Sequence, residues 1–302
     1  MAAEHEPKIS VITPSLNTAK YLRDTIESVL AQTFQDYEFI VVDGGSTDGS
    51  VDILKEYSRI RWISEKETDK NTILEAYRKA FDMSRGDYII QCCVSDGFLS
   101  KNWFEACNDC LEKDSEVSLV WGLPQYMLED GSLGRITNQE FLKKLPPQKR
   151  DFFAYWLAYA HGFPEGNYCV RRHVFEECFT KRNQTERFFV GIHYEFLYEF
   201  HTRGYLSYFL PIVANFGRIH ANQRVELLYD ELDKEGKIYN KMCKEYKKKV
   251  LQGRVNHCFR NGSSEIIGEI KKEELGRLRW DIAKHYIKYK IGKRLRETQE
   301  LL

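Results

Sequence analysis

Carboxylate side chains follow three predicted strands in the first third of the chain. The strand at residues 39–43 ends in Asp43, and Asp96 follows a second strand that ends at Val94. Between them, residues 61–64 lead into an acidic stretch that contains Asp69. Strands that are apolar at nearly every position are buried on both faces, as in a parallel sheet. Acids at the carboxyl edge of such a sheet can bind a nucleotide or a hard cation.

The segments that must position these acids alternate between strands and helices. In residues 72–83, for example, Ile73, Ala76, Tyr77 and Ala80 recur at helical spacing, and Gly86 follows as a helix stop. This alternation predicts right-handed βαβ crossovers in an α/β fold, with helices flanking a mostly parallel sheet. The predicted strands are residues 9–14, 39–43, 61–64, 88–94, 117–122 and 208–216, and the predicted helices are residues 21–32, 50–57, 72–83, 102–112 and 194–203.

Composition limits the class of protein. The 302 residues are enough for a large core, and the formal net charge of zero gives no field that would attract nucleic acid. We find no apolar run that could span a bilayer, and the N-terminus lacks the apolar core of a signal peptide. Eight irregularly spaced cysteines favour buried, reduced thiols and a cytoplasmic protein.

The C-terminal part of the chain is basic. From Lys241 onward there are seventeen Lys and Arg against eight Asp and Glu, and Trp280, Ala283, Ile287 and Ile291 follow helical spacing. Two interpretations stay open. This helix could lie on an anionic membrane, at the inner face, or it could pack on the main domain with a solvated basic face. We favour packing, and expect a helical extension at residues 224–302 without further strands.

Residues 1–223 are therefore predicted to form the main domain, with halves at about 8–122 and 123–223. The polar stretch 129–150 contains Gly131, Gly134 and the pair Pro146-Pro147. We interpret it as a mobile connection within this domain, and not as a domain boundary.

Two motifs carry a family resemblance. Ser10-Val-Ile-Thr-Pro-Ser-Leu-Asn17, together with Ile40-Val-Val-Asp-Gly-Gly-Ser-Thr-Asp-Gly-Ser50, resembles the donor half of the family 2 GT-A glycosyltransferases. The resemblance implies a GT-A fold and a nucleotide-sugar donor. It also implies donor-binding roles for Thr13, Pro14, Ser15, Asp43, Asp69, Arg78, Ser95 and Asp96. For Asp43, a structural role in the Gly44-Gly45 turn is the alternative interpretation.

The segment around Asp96 resembles the family's Asp-x-Asp metal motif, with Gly97 in the place of the second acid. The resemblance implies a divalent cation, Mn²⁺ or Mg²⁺, that neutralises the diphosphate. His220, in a late Arg-x-His element, is the second ligand candidate beside Asp96. With one acid missing, we expect the cation to bind weakly unless the nucleotide is present.

An inverting transferase also needs a base to deprotonate the acceptor hydroxyl. Relatives often read Asp-Tyr-Asp/Glu-Leu at this point, where this chain has Gly191-Ile-His-Tyr-Glu-Phe196. His193 and Glu195 are thus both candidates. On a helix they point about 200° apart, so only one can face the sugar, and we favour Glu195 slightly. Glu165, Arg171 and Arg172 resemble a segment that lines the acceptor side of the site.

The favoured function is an inverting glycosyltransferase that moves a sugar, from UDP in preference to other nucleotides, to a glycan or lipid-linked saccharide in surface polysaccharide or glycoconjugate synthesis. The alternative is a degenerate GT-A domain that binds its ligand without turnover, since Gly97 and His193 both replace acids. A dehydrogenase is disfavoured because Pro14-Ser-Leu-Asn-Thr-Ala19 replaces the glycine-rich turn that would follow its first strand.

Overall fold

The computed structural model describes residues 6–66, 72–160, 162–164, 166–180, 191–221 and 227–299, with side-chain positions up to residue 287 of the last helix. The strands are β1 (Ile9–Ser15), β2 (Tyr37–Asp43), β3 (Ile60–Ser64), β4 (Tyr88–Gln91), β5 (Gly97–Phe98), β6 (Leu119–Met127), β7 (Leu133–Ile136), β8 (Tyr168–Arg171), β9 (Ser207–Arg218), β10 (Cys258–Arg260) and β11 (Ile266–Glu269). The helices are α1 (Ala19–Leu30), α2 (Ser50–Lys55), α3 (Thr72–Met83), α4 (Trp103–Lys113), α5 (Glu140–Lys143), α6 (Arg150–Tyr159), α7 (Arg172–Phe175), α8 (Ile192–Thr202), α9 (Tyr229–Leu251) and α10 (Leu275–Gln299).

One nine-stranded sheet forms the centre of the molecule, in the order β3-β2-β1-β4-β8-β6-β9-β5, with β7 paired to β6. Strands β1 to β4 are parallel, and β6 is parallel to β9. Strand β8 runs antiparallel between β4 and β6, which joins the two predicted halves in one sheet. The mostly parallel, helix-flanked sheet predicted from the sequence is confirmed.

Two hydrophobic layers cover the faces of this sheet. Ile26 of α1 and Phe104 of α4 pack in one layer, and Ala80 of α3 packs in the other. The aromatic run of α6 belongs to the second layer, where Phe152 and Trp156 are buried. All eight cysteines are free thiols and five of them are buried, as predicted.

The stretch 129–150 is more ordered than the sequence indicates. It contains strand β7 and the single-turn helix α5, so the predicted irregular connection is wrong over these residues. The backbone N–H of Leu128 donates to the carbonyl of Ser132 and closes the β6–β7 hairpin. A strand of four residues with alternating exposure is too short to give a periodic signal.

The extension after residue 223 contains a β-hairpin as well as helices, which corrects the expectation that it has no strand. Strands β10 and β11 pair antiparallel around a turn that begins at Asn261-Gly262. Tyr239 and Val250 of α9, and Leu278 and Ile282 of α10, are buried in the same layer as α6. Among the described residues, no helix is long and apolar enough to cross a membrane.

Candidate active site

The carboxyl ends of β1, β2 and β3 place Ser15, Asp43 and Ser64 side by side. The Asp43 carboxylate accepts hydrogen bonds from Ser64 Oγ at 2.7 Å and from the backbone N–H groups of Gly45 and Ser46 at 3.1 and 2.9 Å. It also accepts a short hydrogen bond from Ser46 Oγ. Asp43 has no exposed surface. In this geometry Asp43 fixes the turn after β2, and its hydrogen bond to the donor stays a prediction.

The end of β1 is held against this turn. Thr13 is buried and Pro14 is half-buried, while Ser15 Oγ lies 2.8 Å from Thr18 Oγ1. The Thr13 hydroxyl is buried and makes no hydrogen bond within the described residues. These contacts fix the end of β1 beside the turn after β2, at the carboxyl edge of the sheet.

A second cluster forms around Asp96, which lies between β4 and β5. Its Oδ1 accepts a hydrogen bond from the backbone N–H of Arg218 at 3.1 Å, and its carbonyl accepts one from Thr25 Oγ1 at 2.6 Å. Ser95 adopts a φ of 85°, a left-handed conformation that costs energy in a residue other than glycine. The chain is thus bent so that Asp96 meets both α1 and the end of β9.

Arg218 connects the parts of this cluster. Its guanidinium donates to Asp24 at 2.6 Å and to the Ser95 carbonyl at 3.3 Å, and it lies 5.1 Å from the centre of the Tyr21 ring. Sequence reasoning did not select Arg218 as a site residue. The Arg-x-His element that made His220 a candidate also contains Arg218, and it is the sequence feature that indicates this residue.

His220 packs on the same aromatic ring. Its imidazole lies 4.7 Å from the Tyr21 ring, centre to centre. Partial burial lowers the pKa of His220, although nearby Glu129 acts in the opposite direction. A lowered pKa keeps the imidazole neutral at neutral pH, which is the state that can bind a cation.

Helix α8 carries the two candidate bases. His193 is buried, with Nε2 3.1 Å from the Phe163 carbonyl and its ring stacked on Tyr168 at 5.8 Å. Glu195, two residues later, is half-buried. The first turn of α8 thus presents a packed imidazole and a more accessible carboxylate.

Two predicted acceptor residues lie elsewhere. Because β8 is antiparallel to β4, Arg171 pairs with Tyr88, at the amino edge of β4. Arg171 donates to the carbonyls of Val117 and Leu111, while Arg172 donates to the Gly86 carbonyl at 2.6 Å. Both guanidiniums stabilise backbone at the edge opposite Asp96. The prediction that they line the acceptor side is therefore wrong.

Three other predicted residues complete the picture. Asp69 and Glu165 fall outside the described residues. Arg78 is half-buried on α3, and its neighbour Lys79 forms an ion pair of 3.1 Å with Glu65, the residue after β3. Helix α3 is therefore linked to the segment that follows β3.

A model of the family described as Glycosyl transferase family 2 matches residues 10–179, more than half of the chain. The chain belongs to this family. The matched segment runs from β1 through the π-helical turn at Glu176–Thr180, so it includes the turn after β2 and Asp96 but not α8 or β9.

Among curated proteins, this family 2 chain is 35% identical over 131 residues to a chondroitin synthase of Escherichia coli, covering 42% of this chain and 18% of that protein. The chain spans less than half the length of the first curated relatives that it matches. These likenesses agree with the family assignment made above.

Solved structures support the GT-A fold. A Staphylococcus aureus TarS fragment, solved with UDP-GlcNAc, superposes with a TM-score of 0.57 at 15% identity and covers 72% of this chain and 60% of that one. A mannosyltransferase of Pyrobaculum calidifontis, solved with GDP-Man and Mn²⁺, gives a TM-score of 0.51 at 15% identity and covers 75% and 60%. At such identities the comparison concerns the fold alone.

Few side chains at this site could act as ligands of a divalent cation. Within the described residues, no group of three or more His, Cys, Asp and Glu side chains could hold a metal ion. The candidates that remain are the Asp96 carboxylate, which accepts a hydrogen bond from the Arg218 backbone N–H, and the His220 imidazole, which packs on the Tyr21 ring. This set fits a cation such as Mg²⁺ that keeps phosphate oxygens among its ligands.

Proposed function

We propose that the chain is an inverting glycosyltransferase that uses a nucleotide-sugar donor, with UDP-sugars favoured, and a glycan or lipid-linked saccharide acceptor. The observation that carries the proposal is the meeting of β1, β2, β4 and β9 at one sheet edge, where Asp96, Arg218 and His220 lie together. Retention of these groups favours turnover over the alternative, a degenerate domain that only binds its ligand.

The donor would lie along this edge, with its base over Thr13, Pro14 and Ser15. Asp43 would act through the turn that it holds, and Asp69 and Arg78 would extend the donor contacts from the β3 side. Ser95 and Asp96 would face the diphosphate. The strained Ser95 backbone supports this assignment because strain of this kind is found at functional sites.

Asp96 and His220 would hold the divalent cation, which when bound neutralises the charge of the departing diphosphate. Arg218, which is 4% exposed, places its guanidinium next to this position, bonded to the Ser95 carbonyl and ion-paired with Asp24. A buried guanidinium stabilises negative charge more strongly than one in water does.

Glu195 would act as the base. Its carboxylate would take the proton of the acceptor hydroxyl while that oxygen attacks the anomeric carbon from the face opposite the diphosphate. The bond between the anomeric carbon and the diphosphate oxygen breaks in the same step, which inverts the configuration. His193 would have a structural role, because its imidazole is packed between Phe163 and Tyr168.

Helix α10 bears on the acceptor and on the location of the protein. We infer a cytoplasmic enzyme whose basic helix α10 can approach an anionic membrane, where a lipid-linked acceptor would be found. In support, α10 exposes Trp280 and Ile287 at 67% and 53% on the side away from Leu278 and Ile282.

The test is calorimetry with UDP, GDP and dTDP, each with and without Mn²⁺, followed by a screen for nucleoside diphosphate release from the matching sugar donors. We expect UDP to bind, more tightly with Mn²⁺, and one UDP-sugar to be consumed. Binding without release from any donor, with any glycan acceptor, would favour the degenerate domain. Absence of nucleotide binding would overturn the proposal.

A further inference from the structure

The N-terminal end of α8 is held by the C-terminal extension. The backbone N–H of Gly191, the residue before α8, donates to Glu235 Oε2 at 2.6 Å. Glu235 lies on α9 and is only 7% exposed. The first N–H groups of a helix have no partner within it and carry partial positive charge, so a buried carboxylate there satisfies a donor and complements the dipole. Close by, the rings of Tyr194 and Tyr239 stack at 5.0 Å.

The C-terminal end of α8 is held by the same part of the chain. Tyr246 of α9 donates its hydroxyl proton to the carbonyl of Thr202, the last residue of α8, at 3.2 Å. Two residues later, the Gly204 carbonyl accepts a hydrogen bond from Arg260 of β10 at 2.8 Å. Gly204 has a φ of 81°, and a Cβ there would overlap the carbonyl oxygen of Cys258. Only glycine permits this close backbone contact.

We propose that residues 229–269, which we name the C-terminal unit, set the position of α8, and that Glu235 is a positioning residue for the catalytic base. The inference rests on the base assignment of the proposed function. Glu195 lies in the first turn of α8, four residues after the backbone N–H that Glu235 binds. A displacement of this end therefore moves the base, and displacements of about 1 Å can cost about 100-fold in rate. The C-terminal unit lies outside the segment that the family model matches.

The experiment compares full-length wild type with Glu235→Ala, Glu235→Gln and Glu245→Ala. Glu245 is an exposed acid on the same helix and serves as the matched control. Hydrogen exchange of the peptide covering residues 191–202 reports the hold on α8 without any need for a substrate. We expect exchange at the first turn to rise at least about tenfold in Glu235→Ala, to recover largely in Glu235→Gln, which keeps an acceptor oxygen, and to stay unchanged in Glu245→Ala.

Turnover is measured on the same proteins as UDP release from UDP-GlcNAc, and UDP affinity by calorimetry. We expect kcat per folded molecule to fall about 10- to 100-fold in Glu235→Ala, with the UDP Kd unchanged and partial rescue in Glu235→Gln. Unchanged exchange at α8 would overturn the proposed hold. Faster exchange with unchanged kcat would overturn the positioning role.

Failure of the proposed function gives a different pattern. Wild type would then release no UDP, with UDP-GlcNAc or with other sugar donors, while the exchange result would still decide whether Glu235 holds α8. A purely structural role predicts a lower melting temperature and fewer active molecules, but the same kcat for each active molecule and the same pH profile.

Discussion

Gly97 stands where the family resemblance leads one to expect an acid, and its surroundings explain the replacement. A Cβ at this position would lie 2.5 Å from Ser28 Oγ and 2.7 Å from the Phe216 ring. Strand β5 is thus wedged between α1 and β9, and it has no room for a side chain. The missing acid is a packing requirement of this chain, and decay of a metal site is not needed to explain it.

The first prediction concerns this packing. Gly97→Ala should lower the free energy of unfolding by about 1–3 kcal/mol through overpacking, and Gly97→Asp by more, without any gain in Mn²⁺ affinity. Gly276→Ala is the control, since a Cβ there meets nothing within 4 Å. Urea unfolding and metal titration measure both quantities. A stable Gly97→Asp protein that binds Mn²⁺ tightly would contradict the steric explanation.

The second prediction separates the two candidate bases. Glu195→Gln should lower turnover by about two to four orders of magnitude with nucleotide affinity retained, because it removes the proton acceptor alone. His193→Gln should mainly lower stability, since the ring fills a buried site against Tyr168. Steady-state rates and melting temperatures of both variants check this. If instead His193→Gln abolishes turnover and Glu195→Gln does not, the histidine is the base.

At the scale of elements, the sequence predicts the parallel part of the fold well and the antiparallel part poorly. Strands β1, β2 and β4 are recognisable because most of their residues are buried on both faces and are apolar. Strand β8 is not among the predicted strands, and its direction is set by pairing with β4 and β6, which no local pattern reveals. Because β8 is antiparallel to β4, Arg171 and Arg172 lie at the amino edge of β4 and not at the carboxyl edge near Asp96. Strands β10 and β11, of three and four residues, were too short to detect.

The third prediction concerns two histidines where the C-terminal unit meets α8. Burial, together with the neighbouring His257 and His193, lowers the pKa of His201 to about 3, and burial lowers that of His257 to about 3. Below the ordinary pKa of 6.5, the unfolded chain gains protons that the folded chain does not. The contribution of these two histidines to the free energy of unfolding is therefore fully present well above pH 6.5. It falls as the pH is lowered below that value, with a limiting slope of about 1.4 kcal/mol per pH unit for each group.

Urea unfolding between pH 7 and pH 5 measures this slope. His201→Phe keeps a ring stacked on Trp156 but cannot be protonated, so its slope over this range should be shallower than that of wild type by about 1 kcal/mol per pH unit. An unchanged slope would show that the acid sensitivity has another origin.

At the scale of the whole molecule, charge is unevenly distributed. Helix α10 contains eight Lys and Arg against two Asp and Glu, so in a neutral chain the remainder carries a net charge of −6. An anionic surface would attract α10 and repel the rest, which would orient the protein. The packed helix favoured from the sequence agrees with buried Leu278 and Ile282, while Trp280 and Ile287 leave a second apolar side exposed.

The fourth prediction tests contact of this helix with lipid. Wild type should sediment with phosphatidylcholine vesicles that contain phosphatidylglycerol, but not with phosphatidylcholine alone, and binding should weaken as salt is raised. Trp280 is the most exposed of the five tryptophans, so its emission should shift to the blue. Ile287→Ser should reduce binding, while Leu227→Ser, at another exposed apolar residue, should not. Self-association in place of vesicle binding would show that a second copy covers this side.

The position of β8 in the sheet also affects how the chain can be made. On the ribosome, β4 emerges with β1 on one side, and its other side stays open until β8 is synthesised more than seventy residues later. The side chains of Ile89 and Ile90 on this strand are wholly buried in the finished protein. An open, apolar strand edge is a site of aggregation, and non-local pairing of this kind is slow. The nascent chain should therefore depend on chaperones until residue 171 has left the exit tunnel, and that dependence is set by strand order alone.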